Sequence, residues 1–329
     1  MTEPQPAGFS REQLERAILG EEPGLTSADV ASAAGVELDQ ARRLWRALGF
    51  PDVGEQPAFT DADLSTLNAL VRSVEAGAID FETAVRLTRA VGRTMARLAD
   101  WQVATLVSRV EQMEAGDQAT GSRLGSAMRL AEEIGAPFEQ MLIYAWRRHL
   151  AAAVGRVEVL GANDEDLHTS EVTVGFADLV SFTALSNEMD EDRIGDLVEV
   201  FESRCADVVA GRHGRVIKTL GDSVLFVCEE PVRALEIALG IVEVIGRDAR
   251  LPDVRVGIST GSVVTRMGDV FGPPVNMAAR LATLARRNRV IADHATADRL
   301  PRDRFYTRPL PPRPVRGFGL VEPVAVRWH

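Results

Sequence analysis

At 329 residues the chain is about twice the usual length of one domain, so two domains are expected; 46% hydrophobic and 26% charged residues exclude a mostly disordered protein. Its 37 basic against 48 acidic residues leave a net charge of −11, which argues against a general nucleic-acid or acidic-membrane binder while leaving room for a local basic patch. Two cysteines (Cys205 and Cys228) with no Cys-x-x-Cys pair, no apolar run near ~18 residues and no export signal point to a reducing, cytoplasmic setting without a zinc site or membrane span.

Residues 1–150 read as helices throughout. Apolar residues recur at helical spacing from Thr26 to Ala34 and from Leu38 to Leu48, on either side of Gly35. Thr60 with Asp63 forms a capping-box pattern ahead of Leu64–Val74, and Asp80 can cap a long run from Phe81 to about Met113. Residues 115–122 read as a loop. Gly135-Ala136-Pro137 then predicts a break between one helix near 123–134 and another over about 138–155. The Leu- and Ala-rich helices are expected to be core, with a lipid-filled pocket between them left open. Fifteen basic and 22 acidic residues give this half a net charge of −7.

The character changes after Gly161-Ala162-Asn163-Asp164-Glu165-Asp166, read as a short acidic linker. Val172, Val174 and Phe176 alternate with smaller or polar residues and predict a strand. A helix follows from Asp190 to Ala210, then strands over Gly214–Leu220 and Ser223–Cys228 flanking Gly221-Asp222. Pro231 opens a helix to about Ile245. Val254–Ser259 and Ser262–Met267 are expected as two strands around Thr260-Gly261. Val275–Arg287 reads as a helix, Val290–Ala292 as a short strand, and the proline-rich tail as edge strands. The order βαββαβ predicts an α+β fold, a ferredoxin-like sheet preceded by an all-α domain.

Among the 37 basic residues one is a lysine, Lys218; the other 36 are arginines. Codon bias explains the arginines but not the exception, because a compact ammonium is needed mainly where one point charge must reach one acceptor. Four residues on, Asp222 occupies the tight turn between two strands, and Asp178 ends the strand that neighbours this hairpin in the predicted topology. Either aspartate alone serves as a turn cap. Together, at one sheet end, they offer two hard oxygen ligands with open positions, which suits Mg²⁺ or Mn²⁺ carrying a polyphosphate. Val180 to Thr183 turn into a helix and offer backbone N–H groups to phosphate oxygens. Asn276 and Arg280, four apart, share a helix face. An amide and a guanidinium there can hold a ribose oxygen and neutralise charge on a phosphoryl group; a solvated helix turn is the plainer alternative.

Three ordered segments carry a family resemblance: Phe176-Ala177-Asp178-Leu179-Val180-Ser181-Phe182-Thr183, Lys218-Thr219-Leu220-Gly221-Asp222, and Asp269 followed by Val275-Asn276-Met277-Ala278-Ala279-Arg280. Through them residues 170–329 resemble a class III nucleotidyl cyclase catalytic domain. The resemblance implies that Asp178 and Asp222, with the Leu179 backbone, hold two Mg²⁺ or Mn²⁺ ions. It gives Lys218 and Asp269 to the purine ring, Asn276 and Arg280 to the transition state, and Phe182 and Thr183 to the substrate. Arg316 stands where the family often has a lysine for the terminal phosphates. A lysine donor beside an aspartate acceptor complements the adenine edge, with its N1 acceptor and amine donor, and mismatches guanine, so ATP is the expected substrate. The implied reaction is attack of the ribose 3′-hydroxyl on the α-phosphate, giving 3′,5′-cyclic AMP and pyrophosphate, with no dedicated general base assigned. Metal and purine residues in this family come from different subunits, so a homodimer with two shared sites is implied.

The order of the domains further resembles soluble actinobacterial-type adenylate cyclases with an all-helical N-terminal regulatory domain, some of them pH-responsive. This places a regulatory domain with its linker helix at 1–155 and the catalytic domain at 156–329. His149 in the 138–155 helix and His168 beside the acidic linker are candidate proton sensors, surface histidines being the plainer reading. Residues 25–46 faintly resemble a MerR-like helix-turn-helix, which would set Gln40, Arg42, Arg43 and Arg46 near a DNA groove; the local acidity opposes that. Two readings from other classes stand beside the enzyme: a degenerate cyclase-like nucleotide-sensing or dimerisation module, and a DNA-binding regulator.

Overall fold

The computed structural model describes residues 10–117, 119–159, 169–266 and 268–329. The chain divides into two compact units, Met1–Val154 and Gly155–His329. Among the described residues no helix is long and apolar enough to cross a membrane.

The first unit is built from α1 (Arg11–Leu19), α2 (Ser27–Ala33), α3 (Leu38–Leu48), α4 (Asp61–Glu75), α5 (Phe81–Ala115) and α6 (Arg123–Val159), the last running past the division. Reciprocal capping boxes start α2 and α4 at Thr26/Asp29 and Thr60/Asp63, and Asp80 accepts the Thr83 N–H at 2.6 Å to start α5. Val30, Leu44, Trp45, Phe59, Leu67 and Val85 close a small core, with the Trp45 and Phe59 rings 4.4 Å apart. Of the helix-turn-helix residues, Gln40 is exposed, and Arg43 is tied to Glu82 at 2.8 Å and lies over Phe81. Arg46 donates to the Arg42 carbonyl at 3.3 Å. Arg43 is thus engaged with α5 and Arg46 with its own helix, while the Arg42 Nε is buried without a hydrogen-bond partner among the described residues.

Two expectations for this unit are corrected. The break at Gly135-Ala136-Pro137 does not occur: α6 is one helix with Pro137 inside it. Pro137 lacks the N–H that would reach the Glu133 carbonyl, but Pro137 and Glu133 are both exposed, so water can satisfy that carbonyl, and the Leu- and Ala-rich flanks carry the helix through. Nor are the long helices wholly core. Leu87, Val91, Trp101, Val103 and Val107 of α5 and Met141, Tyr144, Trp146 and Leu150 of α6 are exposed, because α3 and α4 cover only the start of α5. His149 is exposed on α6, while the acidic linker at 161–166 and His168 lie outside the described residues.

The second unit contains β1 (Thr169–Leu179), α7 (Phe182–Ser186), α8 (Glu191–Ala210), β2 (Arg215–Leu220), β3 (Ser223–Cys228), α9 (Pro231–Arg247), β4 (Val254–Arg266), β5 (Asp269–Phe271), α10 (Pro273–Leu284), β6 (Arg289–Ala292), α11 (His294–Ala297), β7 (Phe305–Pro309), β8 (Arg313–Val315), β9 (Gly319–Val321) and β10 (Val324–Trp328). The sheet order is β2-β3-β1-β4-β6-β10-β7 with β5 beside β4, and β8-β9 form a separate hairpin. Its first four strands, all antiparallel, are the ferredoxin-like βαββαβ core.

Side chains alternate across this sheet. Ala177, Leu179, Val254, Val256 and Ile258 face α8 and α9 and pack on Phe201, Ile237 and Ile241. Val172, Val174, Leu225 and Val263 face the other way, toward Ala278 of α10. The same alternation turns Asp178 to the α10 face. Cys205 and Cys228 are free and buried, and burial pushes both thiols up, so they act as core residues.

The expected turn at Thr260-Gly261 is instead the middle of a continuous β4. Thr260 is buried and shares hydroxyl hydrogen bonds with Thr173 (2.9 Å) and Thr296 (2.8 Å), while a Cβ on Gly261 would stand 2.9 Å from Pro274. Here glycine marks the close passage of α10. Gly257 does so more strictly: a Cβ there would lie 2.2 Å from the Ala282 nitrogen and 2.3 Å from the Ala278 carbonyl oxygen. Gly257→Ala therefore lifts α10 off the sheet. The expected loss is about 1–3 kcal/mol of stability by denaturant unfolding, since backbone cannot rotate away as a side chain can.

Candidate active site

Antiparallel register determines what surrounds Asp178. Its Cα partners are Ser223 on β3 and Arg255 on β4. Ser223 Oγ donates to Asp178 Oδ1 at 2.6 Å, and the Arg255 guanidinium binds Asp178 Oδ2 through two nitrogens at 2.7 and 2.6 Å. Asp222 precedes Ser223 in a turn that needs Gly221 at φ 63°, and its carbonyl accepts the Leu179 N–H at 3.0 Å. The two aspartates are thus brought to the same end of the sheet. Partial burial and the charge of Asp178 push the Asp222 carboxyl above the usual carboxylate range, against the pull of Arg255.

Arg255 was not legible as a site residue. It occupies a polar position in the alternating strand Val254, Val256, Ile258, which reads equally well as a solvated face. Only the β1–β4 register, which the sequence does not state, puts it opposite Asp178.

Lys218 and Asp269, 51 residues apart, meet with Nζ 2.5 Å from Oδ2. A bulge in β2 between Val216 and Lys218 shifts the lysine's register, and Asp269 opens β5, where its other oxygen accepts the Val270 N–H at 2.9 Å. Both side chains keep about a third of their surface open, at 34% and 27%. Asn276 and Arg280 are exposed on α10, which Gly257 seats against β4.

The segment after β1 is partly committed. Val180 donates its N–H to the Asp253 carbonyl at 2.7 Å, so of the four N–H groups expected to meet phosphate this one is already used. Ser181 takes a left-handed conformation (φ 61°) and starts the short α7; Phe182 packs on the core and Thr183 is exposed. Arg316 is exposed in the turn of the separate β8–β9 hairpin and, among the described residues, bonds to none of the groups above.

A divalent cation fits the donor set. Among the described residues no three Asp, Glu, His or Cys side chains gather as a metal cage. Two repelling carboxylates with room for other ligands are what Mg²⁺ takes when phosphates complete its shell.

The raised Asp222 value fixes a sign. The folded chain holds that proton more tightly than the unfolded one, so stability falls as pH climbs from the unfolded value near ~3.9 through the folded value. In metal-free protein Asp222→Asn should therefore raise the melting temperature at neutral pH by roughly 1–2 °C, with the gain fading toward pH ~4. A gain unchanged across that range would trace to packing instead.

The profile of the family described as "Adenylate and Guanylate cyclase catalytic domain" matches residues 165–326. A Streptomyces coelicolor protein named "Adenylate cyclase" is 40% identical over 94% of this chain and 88% of its own length. Proteins of the same name from Streptomyces griseus and Glutamicibacter nicotianae are each 38% identical over 94% of this chain, and over 87% and 80% of their own lengths. With relatives aligned through both its helical and its sheet-bearing units, the chain belongs to the class III adenylate and guanylate cyclase family.

Proposed function

We propose that the chain is an adenylate cyclase, converting ATP to 3′,5′-cyclic AMP and pyrophosphate. The observation that carries the choice of ATP is the 2.5 Å approach of Lys218 Nζ to Asp269 Oδ2. It presents one donor and one acceptor side by side, the complement of adenine N1 and its exocyclic amine. Guanine would set its N1–H against the ammonium and its O6 against the carboxylate.

The remaining residues take roles that follow from their chemistry. Asp178 and Asp222 would hold two divalent cations, Mg²⁺ or Mn²⁺, with the Leu179 carbonyl as a further ligand. A cation bound there lowers the pKa of the 3′-hydroxyl and holds the phosphates. Arg255 neutralises Asp178 until then. Asn276 orients the ribose, Arg280 meets the charge that grows on the α-phosphate as pyrophosphate departs, and Arg280→Ala should cost on the order of 10²–10³ in kcat. The N–H groups from Ser181 to Thr183 face the phosphates, Phe182 anchors that turn, and Arg316 is assigned to the terminal phosphate. Residues 1–155 act as the regulatory unit, receiving a ligand or a proton, with His149 in its last helix and His168 beside the acidic linker as the candidate sensors.

Each site is built from two chains, Asp178 and Asp222 from one protomer and Lys218, Asp269, Asn276 and Arg280 from its partner. A mixture of Asp178→Ala and Lys218→Ala chains, each inactive alone, tests this. Half of the dimers are mixed and each contains one intact site, so about a quarter of wild-type activity is expected. Silence of verified mixed dimers contradicts shared sites.

A further inference from the structure

The last bond between β1 and β4 runs from the Val180 N–H to the Asp253 carbonyl at 2.7 Å, one residue beyond the Leu179–Val254 pair. That N–H shares a planar, trans peptide unit with the Leu179 carbonyl, so the two groups point in opposite directions. Whatever fixes Asp253 therefore fixes the direction of the Leu179 carbonyl, the backbone oxygen assigned above to a cation. The Leu179 N–H is tied independently, to the Asp222 carbonyl at 3.0 Å.

Asp253 stands just before β4, and Asn288 just before β6. The Asn288 side chain donates its amide to Asp253 Oδ1 at 2.6 Å and accepts the Val254 N–H on its oxygen at 3.2 Å, while its backbone N–H donates to the Val254 carbonyl at 2.7 Å. One residue thus supplies Val254 with both ladder bonds and grips Asp253 as well. The Arg287 guanidinium, 3.7 Å from Asp253 Oδ2, is largely exposed and adds little. Asn288 reaches these groups from a left-handed backbone, φ 53°, and Ser181 on the other side of Asp253 is left-handed at φ 61°. Among the described residues His213 is the one other non-glycine with positive φ. Asparagine takes this conformation readily in an ordinary turn, but an ordinary turn does not need three bonds to one strand end. Strained backbone on both sides of one aspartate persists where the surroundings over-determine it.

We propose that Asn288 and Asp253 are positioning residues for the reaction, a clamp that sets the direction of the Leu179 carbonyl and through it the affinity for the divalent cation. The route is short: the Asn288 amide holds Asp253, the Asp253 carbonyl holds the Val180 N–H, and the shared peptide plane orients the Leu179 oxygen. Partners at one remove from a metal act in this way, by orienting the ligand itself. This role rests on the reading of Leu179 as a cation ligand, and the measurements below separate it from the choice of nucleotide.

Mn²⁺ alone, titrated into the full-length chain and followed by the electron paramagnetic resonance of the free ion, reads that affinity without turnover. Asn288→Gly, the milder change, keeps the left-handed backbone and loses both side-chain bonds. Asn288→Asp keeps an acceptor for Val254 but sets a carboxylate against Asp253. Each should weaken Mn²⁺ binding about tenfold and lower kcat by about as much. The double variant Asn288→Asp/Asp253→Asn exchanges donor and acceptor and should return both quantities to about the wild-type level. A bond that serves stability alone lowers the melting temperature of the single variants and leaves Mn²⁺ affinity unchanged, and that result overturns the proposal. A loss of affinity that the double variant does not recover overturns it too. Mn²⁺ affinity that follows the clamp in a chain that cyclises no ATP keeps the clamp and removes the adenylate cyclase reading.

Discussion

Asp178 and Asp222 are negative groups that the sheet forces toward each other. Asp178 cannot retreat, because it lies between Ser223 and Arg255 in a register fixed by every residue of β1 from Thr173 onward. Asp222 is held by a two-residue turn and by its carbonyl bond to Leu179. Partial burial first, and then the charge of Asp178, push the Asp222 carboxyl up, and the Arg255 guanidinium only partly offsets this. A folded chain that keeps such a conflict has stored a preference for added positive charge, which a divalent cation supplies more compactly than an arginine can.

From this constraint the neighbourhood follows. The face of the sheet that carries Asp178 is also the one on which α10 lies closely. Gly257 and Gly261 permit that approach by having no side chain where helix meets strand. The opposite face has no such duty and is filled with Phe201, Ile237, Ile241 and Ile258. The α10 face also carries a core of Val172, Val174, Leu225 and Val263, and the alternation of β1 adds Asp178 to that same face.

Much of this was legible in the sequence, for reasons that can be named. Asp222 beside Gly221 between two strand patterns predicts a hairpin turn, and Asp178 at the end of an alternating run predicts a strand terminus; short-range signals sufficed for both. The solitary Lys218 was conspicuous by composition, and its pairing with Asp269 agrees with the resemblance. What the sequence concealed was lateral. Arg255 reaches Asp178 because β1 and β4 lie side by side in register, and nothing within either strand announces its neighbour. Pro137 and Thr260-Gly261 misled for the opposite reason: local breaking signals were overridden by exposure to water in one case and by packing against Pro274 in the other.

In the proposed function the two carboxylates and the Lys218–Asp269 pair serve one reaction on an adenine nucleotide. The most direct measurement is cyclic nucleotide released by the full-length chain from ATP and from GTP, each titrated with Mg²⁺ and with Mn²⁺. Cyclic AMP is expected in step with added cation, none without it, and GTP slower by at least tenfold. ATP left intact at every cation concentration, or GTP cyclised as fast, would contradict it.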